Sequence, residues 1–133
     1  MLYMLDTDTA SYLIKGRSPG VERRMLAVPT TDVCISVMTR AELLYGLKTL
    51  QSGHRLHIAV QQFLRIVRAM PWDNQAADWY ADIRHDLRAS GKPIGEMDMQ
   101  IAAHSLATGA TLVTNNLRHY SRIKAPLILE NWA

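Results

Sequence analysis

The sequence predicts an α/β domain with a central, mostly parallel sheet of about five strands flanked by helices. Two observations carry this. Short apolar runs, too short for helices, alternate with segments whose apolar residues recur at helical spacing, the pattern of βαβ units. The chain has 133 residues, 48% of them apolar and 20% charged, enough for one ordinary domain with a genuine core. It holds no repeat, low-complexity stretch or linker, so residues 1–133 read as a single domain.

Leu2 to Leu5 is an unbroken apolar run and reads as a strand buried on both faces, ending abruptly in Asp6. Thr9 to Lys15 reads as a short helix closed near Gly16, and Pro19-Gly20 opens a second through Leu26 that Pro29 breaks. Val33 to Ser36 is a second strand, with Ser36 placed to cap the next helix. There Leu43, Leu47 and Leu50 form a core-facing stripe. After Gly53, Leu56, Val60, Phe63 and Val67 mark another helix, giving way to a third strand near Val67 to Met70. Asp73 is a candidate N-cap for a long helix marked by Ala76, Tyr80, Ile83 and Leu87 and stopped by Gly91 and Pro93. Gly95 leads into a helix through Ala107 that Gly109 ends. Thr111 to Thr114 is a fourth strand, Asn115-Asn116 follows, and Leu127 to Leu129 is a fifth.

Composition excludes several classes. No apolar run approaches the ~20 residues of a membrane helix. The N-terminus lacks the basic and long apolar regions of a secretory signal, and Cys34 is the sole cysteine, so the expectation is a cytoplasmic protein without disulfides. The five histidines, at 54, 57, 85, 104 and 119, are scattered, and with Cys34 they read as surface or packing residues rather than a zinc site. A net charge of +3 points weakly to an anionic partner.

Three acids stand out. Asp6 ends a buried parallel strand, where open α/β sheets place ligands. The same stretch also reads as a strand followed by a helix N-cap, with Asp6 or Asp8 accepting backbone N–H bonds. Glu42 borders the buried face of the helix after the second strand. Asp98 shares a helix face with Ile101, Ala102 and Ser105, so an acid in the first turn tops a core-facing stripe. Dipole stabilisation explains an acid in that turn but not its inward direction. A carboxylate at a buried edge needs a partner, and a metal ion is one answer. Three acids from separate segments suit Mg2+ or Mn2+, which take oxygen ligands and bind phosphate as well.

The chain resembles the PIN-domain family, and within it the VapC-type toxins of type II toxin–antitoxin systems. The matching pieces are Met4-Leu-Asp-Thr-Asp8, Ile35-Ser-Val-Met-Thr-Arg-Ala-Glu-Leu-Leu-Tyr-Gly46, Pro93-Ile-Gly-Glu-Met-Asp98 followed by Ile101-Ala-Ala-His104, and Leu112-Val-Thr-Asn-Asn116. The resemblance implies a three-layer PIN-like domain and a metal-dependent endoribonuclease using Mg2+ or Mn2+. Asp6, Glu42 and Asp98 match the family's three principal metal-site acids. Thr7 and Asp8 would orient the site beside Asp6, and Thr114 would hydrogen-bond a neighbouring carboxylate. Where many relatives carry a fourth acid this chain has Asn115 and Asn116. Asn116 would hold water or substrate through its amide, and Glu96, not a usual acid of the family at its place, would supplement the charge.

The resemblance also implies a homodimer, a cognate VapB-type antitoxin, and a toxin–antitoxin assembly on operator DNA. An antitoxin segment would lie near Tyr12, Leu13, Lys15, Arg24, Met25 and Leu26 and insert an Arg among the acids. A tRNA is the expected substrate. One alternative is a catalytically degenerate PIN-like module that binds RNA or protein. Another is a haloacid-dehalogenase-like phosphatase, since Asp6-Thr-Asp8-Thr9 resembles that family's Asp-x-Asp start. Ala10 stands where that motif prefers Thr or Val, and no downstream Asp-Asp pair follows.

Overall fold

The computed structural model describes all of residues 1–133. The order is β1 (Tyr3–Leu5), α1 (Thr7–Lys15), α2 (Pro19–Ala27), a 3-10 turn (Thr30–Asp32), β2 (Val33–Ser36), α3 (Val37–Lys48), α4 (Leu56–Ile66), β3 (Arg68–Met70), α5 (Asn74–Ala89), α6 (Glu96–Thr108), β4 (Thr111–Val113), α7 (Leu117–Tyr120) and β5 (Leu129–Glu130). The five strands form one sheet in the order β3-β2-β1-β4-β5, and every pair is parallel. The expectation of a mostly parallel sheet is thus met by an entirely parallel one.

β1 is the middle strand, with Tyr3 opposite Val33 on one side and Thr111 on the other. Its alternation divides the core. Met4, Cys34 and Leu112 face α5 and α6, packing on Ile83, Leu87, Met99, Ile101 and Ala102. Leu5, Ile35 and Val113 face the other layer, packing on Ala10, Val21 and Phe63 of α1, α2 and α4. Successive strand side chains point to opposite faces, so a run buried on both sides must be apolar throughout, as Tyr3–Leu5 and Val33–Ile35 are. The chain leaves β1 for β2 and β3 on one side, then crosses to β4 and β5 on the other. That reversal opens a crevice at the carboxyl ends of β1 and β4, where such sheets bind ligands.

Some expectations shift. α1 begins at Thr7 rather than Thr9, because Asp6 caps it. Val67 is the C-cap of α4, its N–H bonded to the Phe63 carbonyl, so β3 begins one residue later. The fifth strand is Leu129–Glu130 rather than Leu127–Leu129, and α7 was not foreseen. Of the α3 stripe only Leu47 is fully buried, since α3 borders an open groove. The caps at Ser36 and Asp73 are as expected, with Ser36 Oγ accepting from the Met38 amide and Asp73 Oδ1 from Ala76.

The C-terminal residues clasp α2. Trp132 is buried, its ring centroid 5.2 Å from that of Tyr3, and the Arg24 guanidinium lies 5.1 Å over it. Arg24 also pairs with Glu130 at 2.9 Å. The approach requires Gly20, where a Cβ would stand 2.4 Å from the Trp132 carbonyl oxygen. No helix is long and apolar enough to cross a membrane.

Candidate active site at the carboxyl edge of the sheet

Asp6 follows β1 directly and is 4% exposed. Its backbone N–H continues the ladder to the Val113 carbonyl at 3.0 Å. The side chain then serves two partners. Oδ1 accepts the Thr9 amide at 2.8 Å, capping α1, and Oδ2 accepts the Thr114 hydroxyl at 2.6 Å. The cap and the site are therefore not rival readings. One oxygen does each task, and each keeps a lone pair for a further ligand. Burial pushes the Asp6 carboxyl above its ordinary value; the bonds from Thr114 and Thr9 pull it back in part, and the charge of Asp8 adds to the rise.

Thr114 works as a relay. Its hydroxyl accepts the Asn116 amide at 2.9 Å while donating to Asp6. The turn after β4 thus aims a donor at the acid after β1. The Asn116 side chain bonds His119 Nδ1 at 2.8 Å, and the Asn115 amide oxygen accepts from Asn131 at 3.1 Å.

Glu42 reaches the same edge from α3. The Thr7 hydroxyl, next in chain to Asp6, donates to Glu42 Oε1 and lies 3.1 Å from the Thr39 hydroxyl. Thr39 is fully buried one turn before Glu42, so a chain of hydroxyls ties the first turn of α1 to the first turns of α3. Asp8 is exposed and, with Glu42, lines a groove of about 360 Å³ between α1, α3 and α4.

Asp98 sits in the first turn of α6 above Ile101, Ala102 and Ser105, all buried. Its Oδ1 accepts the Tyr120 hydroxyl at 3.2 Å. Tyr120 is 1% exposed. Burial pushes its phenol far above the ordinary value, and the charges of Asp98, Asp6 and Asp8 push it further. Glu96, expected as a supplementary acid, is instead taken up by the Tyr80 hydroxyl and, at 3.8 Å, by Arg84 of α5. It is a surface residue stapling α6 to α5, because two residues turn a helix by about 200° and so carry it away from the face Asp98 uses.

The edge therefore carries Asp6, Glu42 and Asp98, each held by a hydroxyl, that of Thr114, Thr7 and Tyr120 respectively. The carboxylates are spread out: no three His, Cys, Asp or Glu side chains lie close enough to hold an ion as they stand. Neither ion pair of the chain, Arg24–Glu130 or Arg84–Glu96, involves any of the three. Their chemistry fits a hard divalent ion, because the donors are carboxylate and hydroxyl oxygens and a desolvated Asp6 gains from a cation. An ion that keeps several waters can be shared by acids set apart.

Sequence reasoning missed Thr9, Thr39 and Tyr120. Thr39 carried a signal, lying three residues before Glu42 and so on its face of the helix. Tyr120 carried none, since the segment that places it is a single helical turn.

Comparison with known proteins places this geometry in context. A family model described as PIN domain matches residues 3–125. The chain is 35% identical over 130 residues to the tRNA(fMet)-specific endonuclease VapC of Salmonella typhimurium, covering 98% of this chain and 97% of the relative. It is 36% identical over 130 residues to Ribonuclease VapC2 of Haemophilus influenzae, with the same coverage. Among solved structures, VapBC2 from Rickettsia felis bound to a DNA fragment from their promoter superposes with TM-score 0.91 at 31% identity, covering all of both chains. DNA-bound VapBC from Salmonella typhimurium gives TM-score 0.91 at 35% identity, again over all of both chains.

Proposed function

The chain belongs to the PIN-domain family, and from that premise we propose that it is a VapC-type endoribonuclease toxin, silenced by a VapB-type antitoxin and working with Mg2+ or Mn2+ at Asp6, Glu42 and Asp98. The observation that carries the reading is the set of three acids, delivered by three separate segments to the sheet's switch point without a basic partner. The relatives' ribonuclease names support the reaction class, and two relatives named tRNA(fMet)-specific endonucleases support tRNA as the substrate. The neighbouring VapBC structures support an antitoxin partner, and the two bound to DNA support an assembly on operator DNA; a homodimer is the toxin unit that the reading carries with it. Such an enzyme meets its RNA in the cytoplasm.

Asp6, Glu42 and Asp98 would hold the ion, which when bound supplies positive charge at the scissile phosphate and makes a water more acidic. The remaining work belongs to the chain. Thr114 and the Thr9 amide fix both oxygens of Asp6, so that carboxylate has little rotation to lose on ligand binding. Thr7 holds Glu42 toward the edge, and Tyr120 holds Asp98. Asp8 and Lys15 stand on the wall of the adjoining groove.

Purified protein incubated with tRNA and Mg2+ or Mn2+ is expected to cut it, to stop in EDTA, and to lose cutting in Asp6→Ala and Asp98→Ala. Variants that cut as fast as wild type would remove the site. A second reading, a degenerate module that binds RNA without cutting, draws on the spread of the acids and on Asn115-Asn116, which offer amides and no further carboxylate after β4. Retained RNA binding with no cleavage by the wild-type protein would select it. The phosphatase alternative finds no support in a family match spanning residues 3–125.

A further inference from the structure

His104 has no place in the site just described, yet it is among the most buried polar groups of the chain. It lies on α6, fully buried, with Nδ1 2.8 Å from Ser36 Oγ, and Ser36 is fully buried too. Nε2 is buried without a well-formed hydrogen bond, and the Pro71 backbone carbonyl is the acceptor that favours a proton on the ring. The segment before α5 is fixed on the same helix by Trp72, whose indole N–H donates to the Gln100 carbonyl at 3.0 Å.

The donors can be assigned. Ser36 Oγ already accepts the Met38 amide at 3.1 Å as the N-cap of α3. If Nδ1 carried the proton, Ser36 Oγ would accept twice, its own hydrogen would have no acceptor, and the bare Nε2 would set a lone pair against the Pro71 carbonyl in a dry interior. If Ser36 donates to Nδ1, its hydrogen is used, Oγ still accepts from the Met38 amide, and Nε2 turns a hydrogen rather than a lone pair toward the carbonyl. Burial holds the imidazole below its ordinary pKa and so neutral.

We infer that His104 is a positioning residue: as the Nε2–H tautomer, wedged between the Pro71 carbonyl and the Ser36 hydroxyl, it sets the cap of α3 and through it the turn that presents Thr39 and Glu42. The first two turns of α3 run from Ser36 through Thr39 to Glu42, so a slack cap tilts the carboxylate that Thr7 holds. The link to catalysis rests on the nuclease reading above; the tautomer and the cap do not.

The test pairs spectroscopy with kinetics on His104→Leu and His104→Asn. Leu fills the space without an acceptor, whereas Asn Oδ1 can stand where Nδ1 stood and accept the Ser36 hydroxyl. In wild type, nitrogen NMR of the ring is expected to show Nδ1 bare and Nε2 protonated, and the Met38 amide is expected to exchange slowly. A proton on Nδ1 would overturn the inference, whether or not the protein cuts RNA. In cleavage assays His104→Leu is expected to lose about 10- to 100-fold in kcat with KM little changed, the scale of a catalytic group displaced from a distance. His104→Asn is expected to regain most of that loss, at a thermal midpoint similar to that of the Leu variant. Equal losses in both variants would reduce His104 to packing. A wild type that binds but does not cut RNA would sink the nuclease reading, while ring NMR and Met38 exchange still decide the tautomer and the cap.

Discussion

Asp6 and the pair Glu42 and Asp98 occupy the same edge but are held in opposite ways. Asp6 extends the central strand, is buried, and has a partner on each oxygen. Glu42 and Asp98 ride on helices, are half-buried, and are each held by a single hydroxyl on one oxygen. The difference separates a fixed point, preorganised at the cost of desolvating a charge, from two arms restrained on one oxygen only. It also accounts for the spread of the acids, since like charges at a dry edge repel and only the arms have freedom to yield.

If that contrast is right, losses should rank with rigidity. Asp6→Ala removes the fixed point and should cost on the order of 10³-fold or more in kcat/KM, in the range of an essential group. Thr7→Val and Tyr120→Phe each free one arm and should cost about 10- to 100-fold, as loss of a ligand's orienting partner does. Steady-state cleavage of one tRNA by all three variants ranks them, and a Tyr120→Phe loss as deep as that of Asp6→Ala would erase the distinction.

A third measurement sharpens it through pH. The folded-state pKa of Asp6 is raised, so its contribution to stability is fully present below its unfolded value and is lost as pH rises through the folded one. Metal-free wild type should therefore lose stability relative to Asp6→Asn, which still caps α1, as pH rises above about 4, the unfolded carboxyl lying near 3.9. Thermal melts in EDTA across that range read the trend. A gap that moves the other way would mean Asp6 is not a desolvated charge. The smallest effect belongs outside the edge: Glu96→Gln should change stability by no more than about 0.5 kcal/mol and leave cleavage within about twofold, since its pairing with Arg84 is solvent-exposed.

Much of this was legible in the residues. Two-faced apolar runs gave the parallel sheet, because burial on both sides leaves no position for a polar residue. The inward direction of Asp98 was legible because its helical neighbours at i+3 and i+4, Ile101 and Ala102, are apolar. The bonds that tune the acids were not. Thr114 and Asp6 lie 108 residues apart, and only the β1–β4 pairing makes them neighbours. Glu96 misled because nearness in sequence to Asp98 says nothing about facing, which α5 settles with Tyr80 and Arg84. α7 escaped because one turn holds too few residues for a period to show.

The position of β1 has a consequence for synthesis. The strand that leads to Asp6 leaves the ribosome well before its neighbour β4, and the Thr114 hydroxyl follows 108 residues after that acid. A nascent polypeptide still short of Thr114 carries the carboxylate without the crevice around it. On the nuclease reading proposed above, cleavage becomes possible only late in translation, and a truncated product that ends before β4 is expected not to cut RNA.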